Sequence, residues 1–228
     1  MPNKPDVSLK KRLTQWRESA IAGYREHPHP QQLLKTLCKN VDQVLTDAWK
    51  NLVLPPGSVL IAVGGYGRGE LYPYSDVDVL ILLEKSPDQA LQAKLESLVQ
   101  LFWTLGLTIG HSVRTIDECL EESANDITVQ TSLLEARYVT GNRKLFQLLR
   151  ERYNAQMNPS AFFIAKMLET RQRHVKFGDT PYSLEPNCKE SPGGLRDLQV
   201  ILWTAKAAKL GHSWNQLARP GLLTPSEA

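Results

Sequence analysis

Between Gln31 and Leu52 the apolar residues Leu34, Leu37, Cys38, Val41, Val44, Leu45, Ala48, Trp49 and Leu52 recur at helical spacing, which predicts an amphipathic helix. LPPGS, residues 54–58, ends it, because two prolines and a glycine cannot continue the pattern. VLIAV, residues 59–63, is a short β-branched run and predicts a buried strand that stops on Gly64 and Gly65. DVDVLILL, residues 76–83, predicts a second strand. Helical period returns in PDQALQAKLESLVQLFWTLG, where Leu91, Leu95, Leu98 and Phe102 form one stripe. LTIGHSVRT, residues 107–115, predicts a third, shorter strand. From about Asp117 onward nearly everything reads as helical, with breaks near Gly141, at Pro159 and in GDTPYSLEPNCKESPGG.

This order predicts an α+β fold in three parts: an N-terminal helical segment over 1–55, a mixed core with three strands over 56–140, and a helical region over 141–228. No internal repeat or low-complexity tract is present. The last residues, LARPGLLTPSEA, bring no closing element, so the chain reads as cut rather than finished.

Composition narrows the class without naming a chemistry. Of 228 residues 42% are hydrophobic and 22% charged, as in ordinary soluble globular proteins. A formal net charge of +3 is too small to argue for nucleic acid or a membrane as partner. Cys38, Cys119 and Cys188 lie far apart with no C-x-x-C pair, which argues against a disulfide framework or structural zinc and fits a reducing cytoplasm. The N-terminus is polar, without the apolar core of a signal peptide, and no apolar run reaches the length of a membrane span. A cytoplasmic location follows as the expectation.

The candidate chemistry sits in VGGYGRGELYPYSDVDVLILL, residues 63–83. Residues i and i+2 of a strand point to one face, so Asp76 and Asp78 project together while Val77 and Val79 enter the core. Two neighbouring carboxylates repel unless a cation lies between them, and magnesium suits: it takes a few carboxylate oxygens and completes its shell with water and phosphate. Gly64 and Gly65 let the backbone turn sharply and bring its N–H groups close to phosphate oxygens, and Arg68 adds charge-assisted hydrogen bonds. A lone D-x-D is often only a solvated face, and a lone Gly-Gly is usually a turn. Joined in order after a strand, they are far more specific.

A second glycine motif, KESPGGLRDLQVILW, places Gly193 and Gly194 directly before an amphipathic helix, with Lys189 and Arg196 beside them and Asp197 able to orient one of the two. A helix start preceded by glycines is a natural anion site. The plainer alternative is a helix start with Asp197 favourable to the dipole and Leu195, Leu198, Ile201 and Leu202 as core. His111 falls on a strand face different from that of Arg114, which fits a structural or edge role as well as catalysis. His174 fits either the cleft or an exposed basic helix end, and His27 and His29 read as loop residues. None of them is a candidate metal ligand.

The Gly-Gly turn followed by Asp-x-Asp in an apolar strand resembles the signature of the polymerase β-like nucleotidyltransferase superfamily. The fuller string GGYGRGELYPYSDVDVLILL, with GHSVRT and EPNCKESPGGLRDLQVILW, is similar to the N-terminal region of the bifunctional uridylyltransferase/uridylyl-removing family of bacterial nitrogen signalling. The likeness runs from about Ser58 to Lys209. It implies a small mixed sheet flanked by helices, with a helical region closing over the nucleotide. It further implies Asp76 and Asp78 as catalytic residues and ligands of Mg2+, with Mn2+ as an alternative. Gly64, Gly65, Arg68, Lys189, Gly193, Gly194 and Arg196 would hold the nucleotide. The implied reaction moves UMP from UTP to a tyrosine hydroxyl of the PII regulatory protein, releasing pyrophosphate.

The family also carries a hydrolytic HD domain. No H…HD pair exists among His27, His29, His111, His174 and His212, so uridylyl removal is not expected of this chain. The superfamily usually offers a third carboxylate on the strand beside Asp-x-Asp. Here Thr108, Gly110, Ser112 and Arg114 share that face without an acid, and Asp117 and Glu118 follow just after it. The alternatives are an adenylyltransferase of the glutamine synthetase-modifying type, which shares much of this layout, and a catalytically silent nucleotide-binding module.

Overall fold

A computed structural model describes residues 4–182, 184–224 and 226. The expectation of a cut C-terminus turns partly on 225, 227 and 228, which lie outside the described residues. In chain order the elements are α1 (Lys4–Glu26), α2 (Pro30–Asn51), β1 (Ser58–Ala62), α3 (Gly64–Gly67) and β2 (Val77–Leu83). There follow α4 (Gln89–Thr104), β3 (Ile109–Thr115), α5 (Ile116–Asn125), α6 (Ile127–Leu134) and β4 (Arg137–Gly141). Last come α7 (Arg143–Gln156), α8 (Pro159–Lys176), α9 (Leu195–Ala207) and α10 (Trp214–Ala218). The chain divides into two compact units, residues 1–123 with 135–152 and residues 124–134 with 153–228.

In the first unit one sheet runs in the order β3-β2-β1-β4. β1 is antiparallel to both β2 and β4, and β2 is parallel to β3. Apolar periodicity sets which face goes where. Val77, Val79, Ile81 and Leu83 of β2 join Leu60 and Ala62 of β1 in a core with Leu37, Val41, Val44, Leu45 and Ala48 of α2 and Leu95, Leu98 and Phe102 of α4. Asp78, Leu80 and Leu82 therefore point to the other side. α2 starts on Pro30, whose fixed φ suits a first turn. At the start of α4 the Asp88 side chain accepts the Leu91 N–H at 2.8 Å.

The sheet has four strands where the apolar pattern predicts three. The additional strand, β4, reads RYVTG; it is only five residues long, mostly half-buried, and follows a helical stretch directly. Its neighbour β1 gives no local sign of it, because that pairing joins Ala62 to Arg137. α1, which precedes the predicted helix, contributes Leu9 and Leu13 to the same core. The second strand begins at Val77, leaving Asp76 one residue before it, and the third begins at Ile109.

The second unit packs α8 against α9 through Phe162, Val200, Trp203 and Ala207, with Ile127, Leu134 and Met157 around them. Lys166 is buried within it, its Nζ 4.6 Å from the Trp203 ring centroid and 2.6 Å from Glu169 Oε2. Burial pulls that ammonium below its ordinary pKa, against the Glu169 partner.

Candidate active site

β1 ends at Ala62, and the chain turns at once into the single helical turn of α3. Gly64 sits there at φ +57°, a conformation that side-chain-bearing residues adopt at a cost. A turn of this kind leaves its first N–H groups without intrahelical carbonyls, here those of Gly64, Gly65 and Tyr66. Beside it the Val63 N–H donates to the Asp78 carbonyl at 3.0 Å, which fixes the turn against the start of β2.

The Asp78 carboxylate lies between two glycines. A Cβ placed on Gly64 would meet Asp78 Oδ2 at 3.3 Å, and one on Gly110 would meet Asp78 Oδ1 at 2.3 Å. The second contact follows from register, since Asp78 pairs with Gly110 in the parallel β2–β3 ladder. Asp78 is half-buried; Asp76, two residues earlier and one residue before the strand begins, is exposed. Gly64, Gly65, Arg68, Asp76 and Asp78 are thus gathered at one end of β1 and β2.

Arg68 is held rather than loose. Its Nη1 lies 3.2 Å from Glu135 Oε2 and its Nε 3.4 Å from Glu70 Oε2, while a Cβ on Gly65 would lie 3.5 Å from Nη2. Tyr66, buried in the middle of the turn, donates its hydroxyl to Asp42. Arg137 grips the same carboxylate with two N–H groups at 2.8 and 3.0 Å and the Tyr66 carbonyl at 3.2 Å, and its guanidinium lies 5.2 Å from the Tyr66 ring centroid. Burial first, and then the negative Asp42, raises the Tyr66 hydroxyl well above 10, so it stays a donor. α2 and β4 thereby clamp the turn from below.

The acids that follow β3 serve elsewhere. Thr115 pairs with Leu83, five residues beyond the Asp78–Gly110 pair, or about 16 Å along the strand. Glu118 accepts the Thr115 N–H at 2.6 Å and its hydroxyl at 2.9 Å, and that N–H holds its carboxyl below the usual range. Asp117 pairs with Arg152 at 2.7 Å. His111 pairs with Val79 and so faces α4, where its ring meets Trp103 edge-on at 6.1 Å; it is turned away from Asp78. Among the described residues no group of three or more His, Cys, Asp or Glu could hold a metal ion.

In the second unit the structure brings Lys189, Gly193, Gly194 and Arg196 around one turn at the start of α9. The N–H groups of Gly194, Leu195 and Arg196 donate to the carbonyls of Ser191, Cys188 and Lys189, each at 2.9 Å. Those amides are therefore used internally, and any anion contact at this turn falls to its side chains. A Cβ on Gly194 would meet the same three carbonyls at 2.8 to 3.1 Å, which is why glycine stands there. Asp197 orients neither Lys189 nor Arg196. It accepts from Gly193 N–H at 2.7 Å, pairs with Arg173 and lies 3.0 Å from His174 Nε2. Arg196 instead pairs with Glu190 at 3.0 Å and Gln199 at 2.9 Å, over the Trp203 ring; Lys189 is exposed, 3.9 Å from Glu190.

The family model described as GlnD PII-uridylyltransferase matches residues 161–228, and that described as nucleotidyltransferase domain matches residues 42–131. A bifunctional uridylyltransferase/uridylyl-removing enzyme of Cupriavidus pinatubonensis is 57% identical over 93% of this chain and 24% of its own. That of Cupriavidus metallidurans is 62% identical over 86% of this chain and 23% of its own. That of Bordetella parapertussis is 54% identical over 100% of this chain and 26% of its own. The chain belongs to the uridylyltransferase/uridylyl-removing enzyme family.

The chain spans about a quarter of the length of these relatives. The nucleotidyltransferase match contains the Gly64–Arg68 turn, both aspartates and Gly110, and the uridylyltransferase match contains the second glycine turn. A solved toxin–antitoxin structure with AMP-PNP aligns at a TM-score of 0.33 and 13% identity over 59% of this chain and 96% of its own, too remote to bear on the site. Three residues of this family member that shape the turn, Asp42, Glu135 and Arg137, carry no local motif. Each reaches the turn from a distant part of the chain, so only the tertiary pairing discloses it.

Proposed function

We propose that the chain is a metal-dependent uridylyltransferase that moves UMP from UTP to a tyrosine hydroxyl of the PII regulatory protein, releasing pyrophosphate. The observation that supports this reading is the Asp78 carboxylate seated between Gly64 and Gly110, beside the turn that opens with Gly64 and Gly65. The donor set fits magnesium or manganese: hard carboxylate oxygens from residues two apart where β2 begins, that of Asp78 in a cradle that a Cβ would fill. Asp76 and Asp78 would hold the ion, and when bound it neutralises charge on the triphosphate. Two protein carboxylates suffice for such an ion, because water and phosphate oxygens complete its shell.

The chain's own residues have separate tasks in this reading. The Gly64 and Gly65 amides lie against the triphosphate, and Arg68 directs Nη2 to the Gly65 side of the turn. In the second unit, Lys189 and Arg196 are proposed as phosphate-binding side chains of their own turn, which Gly193 and Gly194 shape. Positioning and charge neutralisation carry most of the barrier lowering in phosphoryl-type transfer, which is what these groups offer. UTP as donor and PII as acceptor rest on the family resemblance and on the relatives' names.

Titration of UTP, ATP, CTP and GTP into the protein, with magnesium and again with chelator, tests the reading. Binding should require the metal, because triphosphate and paired carboxylates repel without a cation between them. UTP should bind best. Tightest binding of ATP would favour adenylyl transfer, and binding indifferent to metal would remove Asp76 and Asp78 as its ligands.

A further inference from the structure

We infer that Glu135 is a positioning residue for the nucleotide, acting through Arg68. This rests on the reading of the Gly64–Arg68 turn as the triphosphate's seat. Glu135 is 5% exposed, and a carboxylate that deep is costly unless it is paired. Its Oε2 lies 3.2 Å from Arg68 Nη1, with the Arg68 side chain 21% exposed and that of Glu135 4%. The pair thus joins a buried anchor to a cation at the surface.

The backbone reinforces this. Glu135 stands two residues before Arg137, which pairs with Ala62 at the end of β1, so the chain leading into β4 runs beside the turn. A Cβ on Gly67 would lie 2.4 Å from the Glu135 carbonyl oxygen, so Glu135 meets the turn with its backbone as well as its side chain. A free arginine samples many rotamers, and holding it before the ligand arrives removes that ordering cost from binding. With Nη1 committed to Glu135 and Nε near Glu70, the face of the fork that remains toward Gly65 is Nη2. Glu135 lowers the local positive charge, so its contribution is orientation and not attraction.

The test is a double-mutant cycle on magnesium-dependent UTP binding, measured by calorimetry for wild type, Glu135→Gln, Arg68→Ala and the double variant. Each single change should weaken binding about 10-fold, the scale of one charge-assisted hydrogen bond, and the double should be no weaker than Arg68→Ala within about 2-fold. Additive losses mean that Glu135 supports the fold generally, and overturn the inference. Unchanged binding in Glu135→Gln with weakened binding in Arg68→Ala overturns it while leaving the proposed function standing. Unchanged binding in Arg68→Ala removes Arg68 as a nucleotide contact and the inference with it, and leaves the metal reading to the chelator titration. Should Arg68→Ala fail to fold, amide hydrogen exchange of Glu135→Gln decides: faster exchange confined to 64–68 supports the grip, and unchanged protection there overturns it.

Discussion

Asp78 and Gly110 face each other across the parallel β2–β3 ladder, with room between them for a hydrogen and not for a methyl group. A Cβ on Gly110 would stand 2.3 Å from Asp78 Oδ1, the far end of a side chain that can rotate away. Gly110→Ala should therefore leave stability within about 0.5 kcal/mol of wild type, since strand alanine costs little. On the proposed function, transfer should fall about 100-fold, because the carboxylate would be displaced by roughly an ångström from the position that reading requires. Urea unfolding alongside labelled UMP transfer to PII checks both halves. Wild-type transfer in this variant would show that the position of Asp78 is not critical.

Gly67→Ala should do the reverse. There the added Cβ meets main chain, the Glu135 carbonyl oxygen at 2.4 Å and the Ala62 oxygen at 3.0 Å, and neither can step aside without moving a strand. Overpacking of this kind costs about 2 kcal/mol. A clear drop in the urea midpoint is expected, before any question of activity arises.

The contrast between these two glycines bears on what the sequence can disclose. β1 and β2 are legible because their apolar runs are continuous and bounded by Pro, Gly and Asp, and the aspartates stand out against that background. The strand RYVTG is not, since half-buried residues at a sheet edge carry little periodic signal. Glycine roles are legible only where a motif frames them. Gly110 reads as an ordinary strand residue until register sets it beside Asp78. The partners of Asp197 escape a sequence reading for a related reason: Arg196 is its neighbour along the chain, but Arg173 and His174 reach it from α8.

Asp78→Asn should abolish UMP transfer and retain the folded circular dichroism spectrum. The amide keeps the shape that the two flanking glycines accommodate and loses the charge that a divalent ion requires. Asp76→Asn should behave alike with a smaller thermal effect, because Asp76 is exposed and precedes β2. Undiminished label transfer in Asp78→Asn would end the metal reading.

The three cysteines should separate cleanly by reactivity. Cys38 and Cys119 are buried, and burial pushes their thiols up to about 11 and about 12 respectively. Cys188 is exposed. The thiolate is the reactive form, so native protein at pH 8 should titrate one fast equivalent with a disulfide reagent. Denatured protein should titrate three. A second fast equivalent in the native state would mean that the α2 or α5 packing opens readily.

Asp197 ties the glycine turn of the second unit to α8, and its titration should appear in stability. Burial alone would raise its carboxyl, but donors from Arg173, His174 and Gly193 more than reverse that, leaving it below the ordinary 3.8. A depressed folded pKa means that the unfolded chain takes up the proton first as pH falls. The stabilisation is then fully present above the unfolded value and is lost as pH drops through the lower, folded one. Asp197→Asn removes the charge at every pH, so it serves as the reference. At pH 5 wild type should exceed the variant by about 2 kcal/mol, the scale of hydrogen bonds to a charged group. Below pH 3.8 the gap should narrow progressively, because a protonated Asp197 is as uncharged as the amide of the variant and holds Arg173 no better. Urea midpoints of both proteins between pH 5 and pH 2.5 measure it, and a gap that stays constant across that range would show that Asp197 is not held by its charge.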